Sequence, residues 1–469
     1  MRKPRGRHRS QGRRREFLGL LVALFCLTAC VPQELPPWFP DLSGVLPSAA
    51  TSTPPPEPTP TTELPPTPTV TPTPSSSVVT LSFWVPDILD PSSPTTGASG
   101  LAAQVSRFDI ASSGVAVGLQ VKKGTGPGGL YALLLTAHDV APSVVPDLLV
   151  LNQDDLVSAA QEGLIQPLDD HLPADSGYFP AALSAVSTEE GLWAFPYVAQ
   201  AEQMAYSPVL TPTAPITWTS VLSQGLSLVL PGAPPDGLAG DALLSMYVGE
   251  GGRVVDDRGQ PALDRDALRQ VYASLLDLIA VGLLDPAQVL ALPDTESCWQ
   301  VLLDGEAQLA PVSISTYWNT RPDTASLPDP EATSEPPQAV VHPTWVPTAS
   351  GAPVTIMRTW GLAVTTDDPV RMEASLDLIR WLVSAQHMAD LTSSSVVDPT
   401  RRPVVETWAL PAQAEAFVIE LLSNSVAPPS GGAEEIVRRA LQAGLSALLQ
   451  GDVLSADAAA SLALSDLRR

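Results

Sequence analysis

The sequence predicts an α/β fold built on a parallel sheet, and three apolar stretches with helical segments between them carry that prediction. VVTLSFWV from Val78, GVAVGLQVKK from Gly114 and PDLLVLN from Pro146 read as strands, each a short run of apolar residues. Between the first two, Leu101, Val105 and Phe108 recur at helical spacing. LYALLLTA lies between the second and third. Strand, helix, strand, helix, strand is the order from which crossover connections build a parallel sheet.

Taken in order, the chain opens with a segment that is not part of this fold. Arg2, Lys3, Arg5, Arg7, Arg9, Arg13, Arg14 and Arg15 precede a short apolar run, FLGLLVALFCLTA, that ends at residue 29. Such a run is too short to stay in a bilayer, so residues 1–29 read as an export signal. Leu27-Thr28-Ala29-Cys30 resembles a bacterial lipobox, which implies cleavage before Cys30 and a lipid on that cysteine. Arg14-Arg15-Glu16-Phe17-Leu18 resembles the twin-arginine export motif, and the general and twin-arginine routes both stay open.

Residues 30–76 form the next unit. Proline occupies 15 of the positions from 31 to 76, with Thr, Ser and Glu between. A segment of this kind cannot bury a core and extends about 3.1 Å per residue, so it reads as a disordered tether reaching roughly 100 Å. The folded body, 77–469, follows.

Composition narrows what that body does. With 469 residues, 44% of them apolar, the chain can bury a large core or two smaller ones. Removing residues 1–29 takes eight of the 25 Lys+Arg and one of the 50 Asp+Glu, leaving 17 − 49 = −32. That balance argues against nucleic acid as a partner. Of the three cysteines, Cys26 lies in the signal and Cys30 at the cut, so Cys298 stands alone and reads as a buried apolar residue. Gly124-x-Gly126-x-x-Gly129 matches a dinucleotide fingerprint in letters, but a glycine-rich turn opening a helix accounts for it equally well.

The later elements follow from caps and periodicity. Asp264 caps a helix whose Leu268, Val271, Leu275, Leu278 and Ile279 share a face before Gly282. Asp368-Pro369 starts another that buries Leu376, Ile379 and Leu382. Glu434–Leu449 is amphipathic, and Ser455 caps a last helix. The proline-rich stretch 320–352 reads as an irregular surface insertion.

Several stretches together resemble the extracellular solute-binding proteins of ABC importers, the broad family that includes the maltose-binding proteins. They are PDLLVLNQDDLVSAAQEGLIQPLDDHL, GLWAFPYVAQAEQMAYSPVL, GGRVVDDRGQPALDRDALRQVYASLLDLIAVGLL, LLDGEAQLAPVSISTYW and TWGLAVTTDDPVRMEASLDLIRWLVS. The strand that ends Tyr-Asn in the family ends Tyr206-Ser207 here, and the family's Gly-Pro-Trp is replaced by Tyr317-Trp318. The resemblance implies a two-lobed periplasmic-binding-protein-like fold of type II. Lobe 1 would comprise about 77–196 and 356–398, and lobe 2 about 197–355 and 399–469, with hinge crossings near 195–200, 355 and 395–405.

It also implies a function and a site. No nucleophile elbow, metal cluster or facing carboxylate pair is legible, and the paired aspartates read as solvated turns, so no catalytic residue, metal or cofactor is expected. Nine tryptophans lie in the body, and apolar sugar faces stack on such rings. Trp84, Trp318 and Trp360 are candidates for a ligand wall, with core or hinge packing as the alternative for each. Asn152, Gln153 and Asp154 follow the "PD" strand at the family's ligand loop, and Gln203, beside Glu202, lies near the hinge. Tyr247 and Tyr317 join the set, and Arg358 is the one cation placed to meet an anionic group. The expected ligand is a small neutral carbohydrate or polyol. The expected partners are the membrane subunits of an ABC permease and, through Cys30, lipid. The protein would be a monomer held outside the cell membrane. A surface lipoprotein used for sensing or adhesion, or a secreted polysaccharide hydrolase, are the alternatives.

Overall fold

A computed structural model describes residues 78–468, save 113, 174–175, 209–212 and 321–340. The export signal, Cys30, the tether and most of the proline-rich insertion lie outside the described residues.

Strand β1 (Val79–Pro86) leads through α1 (Ser99–Ala111) to β2 (Val115–Lys122), then through α2 (Leu130–Val140) to β3 (Leu148–Asn152) and α3 (Gln153–Gln161). Helix α4 (Pro180–Ala185) and the hairpin of β4 (Ser187–Thr188) and β5 (Gly191–Leu192) precede the long β6 (Phe195–Tyr206). Helices α5 (Trp218–Gln224), α6 (Asp241–Gly249), α7 (Arg265–Ala280), α8 (Pro286–Leu290) and α9 (Thr295–Leu303) follow. Then come β7 (Leu309–Ser313), α10 (Ile314–Thr320), β8 (His342–Thr344) and the second long strand, β9 (Thr355–Val364). Helices α11 (Pro369–Leu382) and α12 (Ala385–Thr392), β10 (Asp398–Pro399), α13 (Arg402–Thr407), α14 (Ala412–Ser423), β11 (Ser425–Val426), α15 (Ala433–Leu449) and α16 (Ala456–Asp466) complete the chain.

The main sheet runs β10-β6-β9-β3-β1-β2. Strands β1, β2 and β3 are parallel to one another, and β9 enters between β3 and β6 antiparallel to both. Strand β2, an apolar run like β1, is half-buried or exposed along its whole length and lies at the edge, where its outer side pairs with nothing among the described residues. The aspartate of the "PD" strand is structural. Asp147 is buried, accepts from the Ser82 amide at 2.8 Å and pairs with Arg371 at 3.0 Å, locking β3 to β1. The glycine-rich stretch is a turn, with Gly126 and Gly128 at φ of 73° and 75° and the Gly129 amide donating to the Gly126 carbonyl at the start of α2.

Two large apolar cores sit on this frame. The first holds β1, β3, α1 and α11; the second holds α6, α7, α15 and α16. Strand β6 passes from one to the other. Phe195, Tyr197 and Val198 belong to the first core, while Met204 and Tyr206 belong to the second. Strand β9 does the same in reverse, with Ile356 in the second and Trp360 and Leu362 in the first. Between them Ala199, Ala201 and Met357 contribute to a smaller cluster with α14. Beyond the crossing, β7 and β8 extend β6 within the second half.

The caps fall where the sequence put them. Asp264 accepts from the amides of Asp266 and Ala267, and Asp368 from those of Val370 and Arg371. Ser455 accepts from Ala458. Cys298 is fully buried in a fourth cluster beside Trp299, and burial pushes its thiol far above the usual range.

Candidate functional site

Side chains of successive strand residues point to opposite faces, so Gln200 and Glu202 on β6 share a face, as do Ile356, Arg358 and Trp360 on β9. Register makes the two sets one surface, with Gln200 opposite Arg358 and Val198 opposite Trp360. This surface lies where both long strands pass between the cores.

Arg358 is its centre. Its Nε and Nη2 donate to the two carboxylate oxygens of Asp241 at 2.8 and 2.7 Å. Its Nη1 donates to Glu434 at 3.0 Å, and Nη2 also donates to Glu434. Asp241 opens α6 and Glu434 lies in the first turn of α15, so one guanidinium from the crossing strand ties two helices of the second half. Arg438, one turn along α15, lies 3.8 Å from Glu434. Burial works against the Asp241 anion, but the adjacent Arg358 charge and its hydrogen bonds hold the carboxyl below its usual range.

Glu202 lies beside them. Its Oε1 accepts from the Thr295 hydroxyl at 2.6 Å. Oε2 is buried as well. Burial first, and the Asp241 charge second, push this carboxyl up to about 7. The hydroxyl of Thr295, the Ala242 amide and Arg358 act in the opposite direction without cancelling that rise.

The first half reaches the same place through α3. Asn152 caps that helix, accepting from the Asp155 amide at 3.0 Å. Gln153 donates to the Pro428 carbonyl at 2.7 Å, and Asp154 accepts from the Gly431 amide at 3.0 Å. Burial raises the Asp154 carboxyl, with the Gly431 amide acting against it and the Glu434 charge adding to it. Next to these contacts lies a cavity of about 620 Å³. Gln153 and Val157 wall it from α3, Leu244 and Val248 from α6, Ile356 from β9 and Ser430 from the loop before α15.

The structure therefore brings Gln153, Asp154 and Arg358 together and leaves other sequence candidates elsewhere. Trp360 borders the surface with its ring against Gly124, where an added Cβ would sit 3.1 Å from it, but the ring is otherwise packed in the first core. Trp84 is also in that core, under the Lys122 ammonium at 5.1 Å, and lines a separate groove with Gln120 and Thr136. Tyr247 is fully buried in the second core, and its hydroxyl is spent on the Arg253 carbonyl and the Asp264 amide. Tyr317 is buried against Trp299 and Trp318, and Trp318 packs among the third and fourth clusters. Gln203 points to the face opposite Glu202 and is buried there. Asp241 and Glu434 were missed because an acidic residue in the first turn of a helix already has a local explanation.

Among the described residues no group of histidine, cysteine, aspartate and glutamate has the geometry to hold a metal ion, and no helix is long and apolar enough to cross a membrane.

Residues 131–416 match the family model described as bacterial extracellular solute-binding protein. Three solved structures are similar over 83% of this chain. They are maltose-bound MalE3 of T. maritima (18% identity, 99% of that chain, TM-score 0.60), the sugar-binding protein MalE of Xanthomonas citri (18%, 97%, 0.64) and the cyclic alpha-maltosyl-1,6-maltose binding protein of Arthrobacter globiformis (15%, 98%, 0.63). At these identities the likeness is one of fold, the type II periplasmic-binding-protein fold. No curated protein sequence matches the chain.

Proposed function

Because the chain belongs to the bacterial extracellular solute-binding proteins, which bind rather than transform their ligands, we propose that it captures a sugar or polyol between two lobes and delivers it to an ABC permease. The lobes are the two halves carried by the two large cores, with boundaries near 196, 356 and 398. Solute enters beside Arg358 and the α3 N-terminus, and the lobes close over it by bending at β6 and β9.

The observation that carries this reading is the passage of both long strands from one core to the other, with a cavity walled from both sides at the crossing. Sugar-binding relatives of the same fold support the ligand class. Cys30 carries lipid in this account, and the proline-rich tether keeps the lobes near the permease, which raises their effective concentration there. A radiolabelled fatty acid should enter the wild type and not Cys30→Ser; label in both would remove the anchor from the account.

The ligand is tested by a thermal-shift screen of the full chain against sugars and polyols. A solute at 100 times its dissociation constant adds about 2.7 kcal/mol to the folded state. No stabilisation by any member of either class would overturn the reading.

A further inference from the structure

We propose that the first half carries a second binding site, a groove beside α2 that takes an aliphatic carboxylate. Its carboxylate would meet Lys122 and the Trp84 Nε1, and its chain would lie along the valines that follow α2. The groove shares no residue with the cavity at the crossing, so the proposal does not depend on solute capture.

Strand alternation builds the groove. Leu81, Phe83 and Val85 are fully buried on one face of β1, so Ser82 and Trp84 belong to the other. Trp84 lies opposite Gln120 in register, which puts Lys122, two residues further along β2, on that face too. Helix α2 supplies the facing wall with Leu133, Thr136 and Ala137. The space left between them is about 660 Å³, a volume that suits a small molecule.

Two donors of this groove are unspent. Trp84 is 6% exposed with its ring in the first core, and its Nε1 is buried without a hydrogen-bond partner among the described residues. Trp193, Trp218, Trp299, Trp345, Trp381 and Trp408 each donate to an acceptor of the fold, as a buried indole normally does. The Lys122 ammonium stands 5.1 Å from the centre of the Trp84 ring. Lys122 and Lys123 are the only lysines of the body, and among the described residues no carboxylate pairs with Lys122. The one carboxylate in the lining, Asp147, is held by the Ser82 amide and Arg371. What both donors lack is an anion.

The rest of the lining selects the anion and its body. One ammonium and one N–H match a singly charged group with two acceptor oxygens, which is a carboxylate, and a bond to an ionised acceptor is the stronger kind. Arg371, the other cation of the lining, is committed to Asp147 and the Thr80 carbonyl, so a second negative charge finds no partner. Val140, Val144 and Val145 continue the groove, and the first two are 78% and 55% exposed. Neighbouring valines open to water mark an apolar contact surface. An aliphatic chain covers them.

Calorimetry on the full chain at pH 7 compares octanoate with 1-octanol, which keeps the chain and lacks the charge, and with acetate, which keeps the charge and lacks the chain. Octanoate should bind roughly 10-fold more tightly than either, or better. Lys122→Met, which keeps the aliphatic stem, should weaken octanoate roughly 10-fold, and Trp84→Phe, which keeps a ring and loses the N–H, roughly 3-fold. Lys123→Met should change nothing. No octanoate binding, octanol or acetate matching it, or an affinity untouched in Lys122→Met would overturn the site. Octanoate displacing the sugar that stabilises the protein most would overturn it too, because the acid would then sit at the crossing.

Discussion

Replacing Arg358 by methionine removes the guanidinium that joins the crossing strand to α6 and α15. Four nitrogen–oxygen contacts disappear at once, two to Asp241 and two to Glu434. Those carboxylates are 12% and 10% exposed, so water replaces the lost partner poorly. Deleting one member of a buried pair costs about 3–5 kcal/mol. Arg358 is itself 27% exposed, and the freed Asp241 carboxylate can take up a proton, which places the loss at about 3 kcal/mol at pH 8.

The dependence on pH has a definite sign. In the wild type Arg358 holds Asp241 below its usual range, so the contribution of that carboxylate is present above about pH 4 and fades only in stronger acid. In the variant the Asp241 carboxyl is buried without the guanidinium that held it down and its value rises, so the folded state weakens as pH climbs. The deficit of the variant should shrink to ~1 kcal/mol at pH 5. Urea unfolding followed by tryptophan fluorescence at pH 5 and pH 8 measures it. A deficit below 1 kcal/mol at both values, or one larger in acid, would refute the role given to this arginine.

Three further expectations follow from buried groups. Asp398 has no exposure and accepts from the amides of Ala201 and Ser315, yet burial pushes its carboxyl up to about 7. A carboxyl raised on folding opposes stability as pH increases, so the wild type should weaken from pH 5 to pH 8 and Asp398→Asn should flatten that slope; equal slopes would contradict it. A Cβ at Gly361 would lie 2.7 Å from the Ala194 Cβ and 2.9 Å from Val186, so Gly361→Ala should lower stability by about 1–3 kcal/mol in the same unfolding assay. Cys298 is buried with its thiol raised, and it should resist iodoacetamide in the native protein and react once unfolded; rapid native labelling would place it at the surface.

Much of the frame was legible because it rests on local rules. Asp264, Asp368 and Ser455 cap their helices as read, since an N-cap needs only its own side chain and the next few amides. The strands β1 and β3 announced themselves as apolar runs buried on both faces. Strand β2 read as a strand as well, but its half-exposed place at the edge was not legible, because that is set by what fails to pair with it, and no single segment encodes it.

The site was less legible for the same reason. Arg358 was singled out as a lone cation, but its partners come from positions 241 and 434, and nothing local links those helix starts to β9. Tryptophan content pointed to an aromatic wall, yet Trp84 and Trp318 are consumed by packing. A large ring satisfies a core and a ligand equally well at the level of composition. Tyr247 joined the ligand candidates, but its hydroxyl finds two main-chain partners inside the second core, a contact visible only after folding.

The account depends on two halves that move against each other about β6 and β9. Val140 and Leu454 are 78% and 87% exposed, in α2 and in the turn between α15 and α16, which suits spin labels at cysteines placed there. Pulsed electron resonance should show that the sugar that stabilises the protein most narrows and shortens the distance distribution between them. A distribution unchanged at saturating sugar would contradict capture by lobe closure.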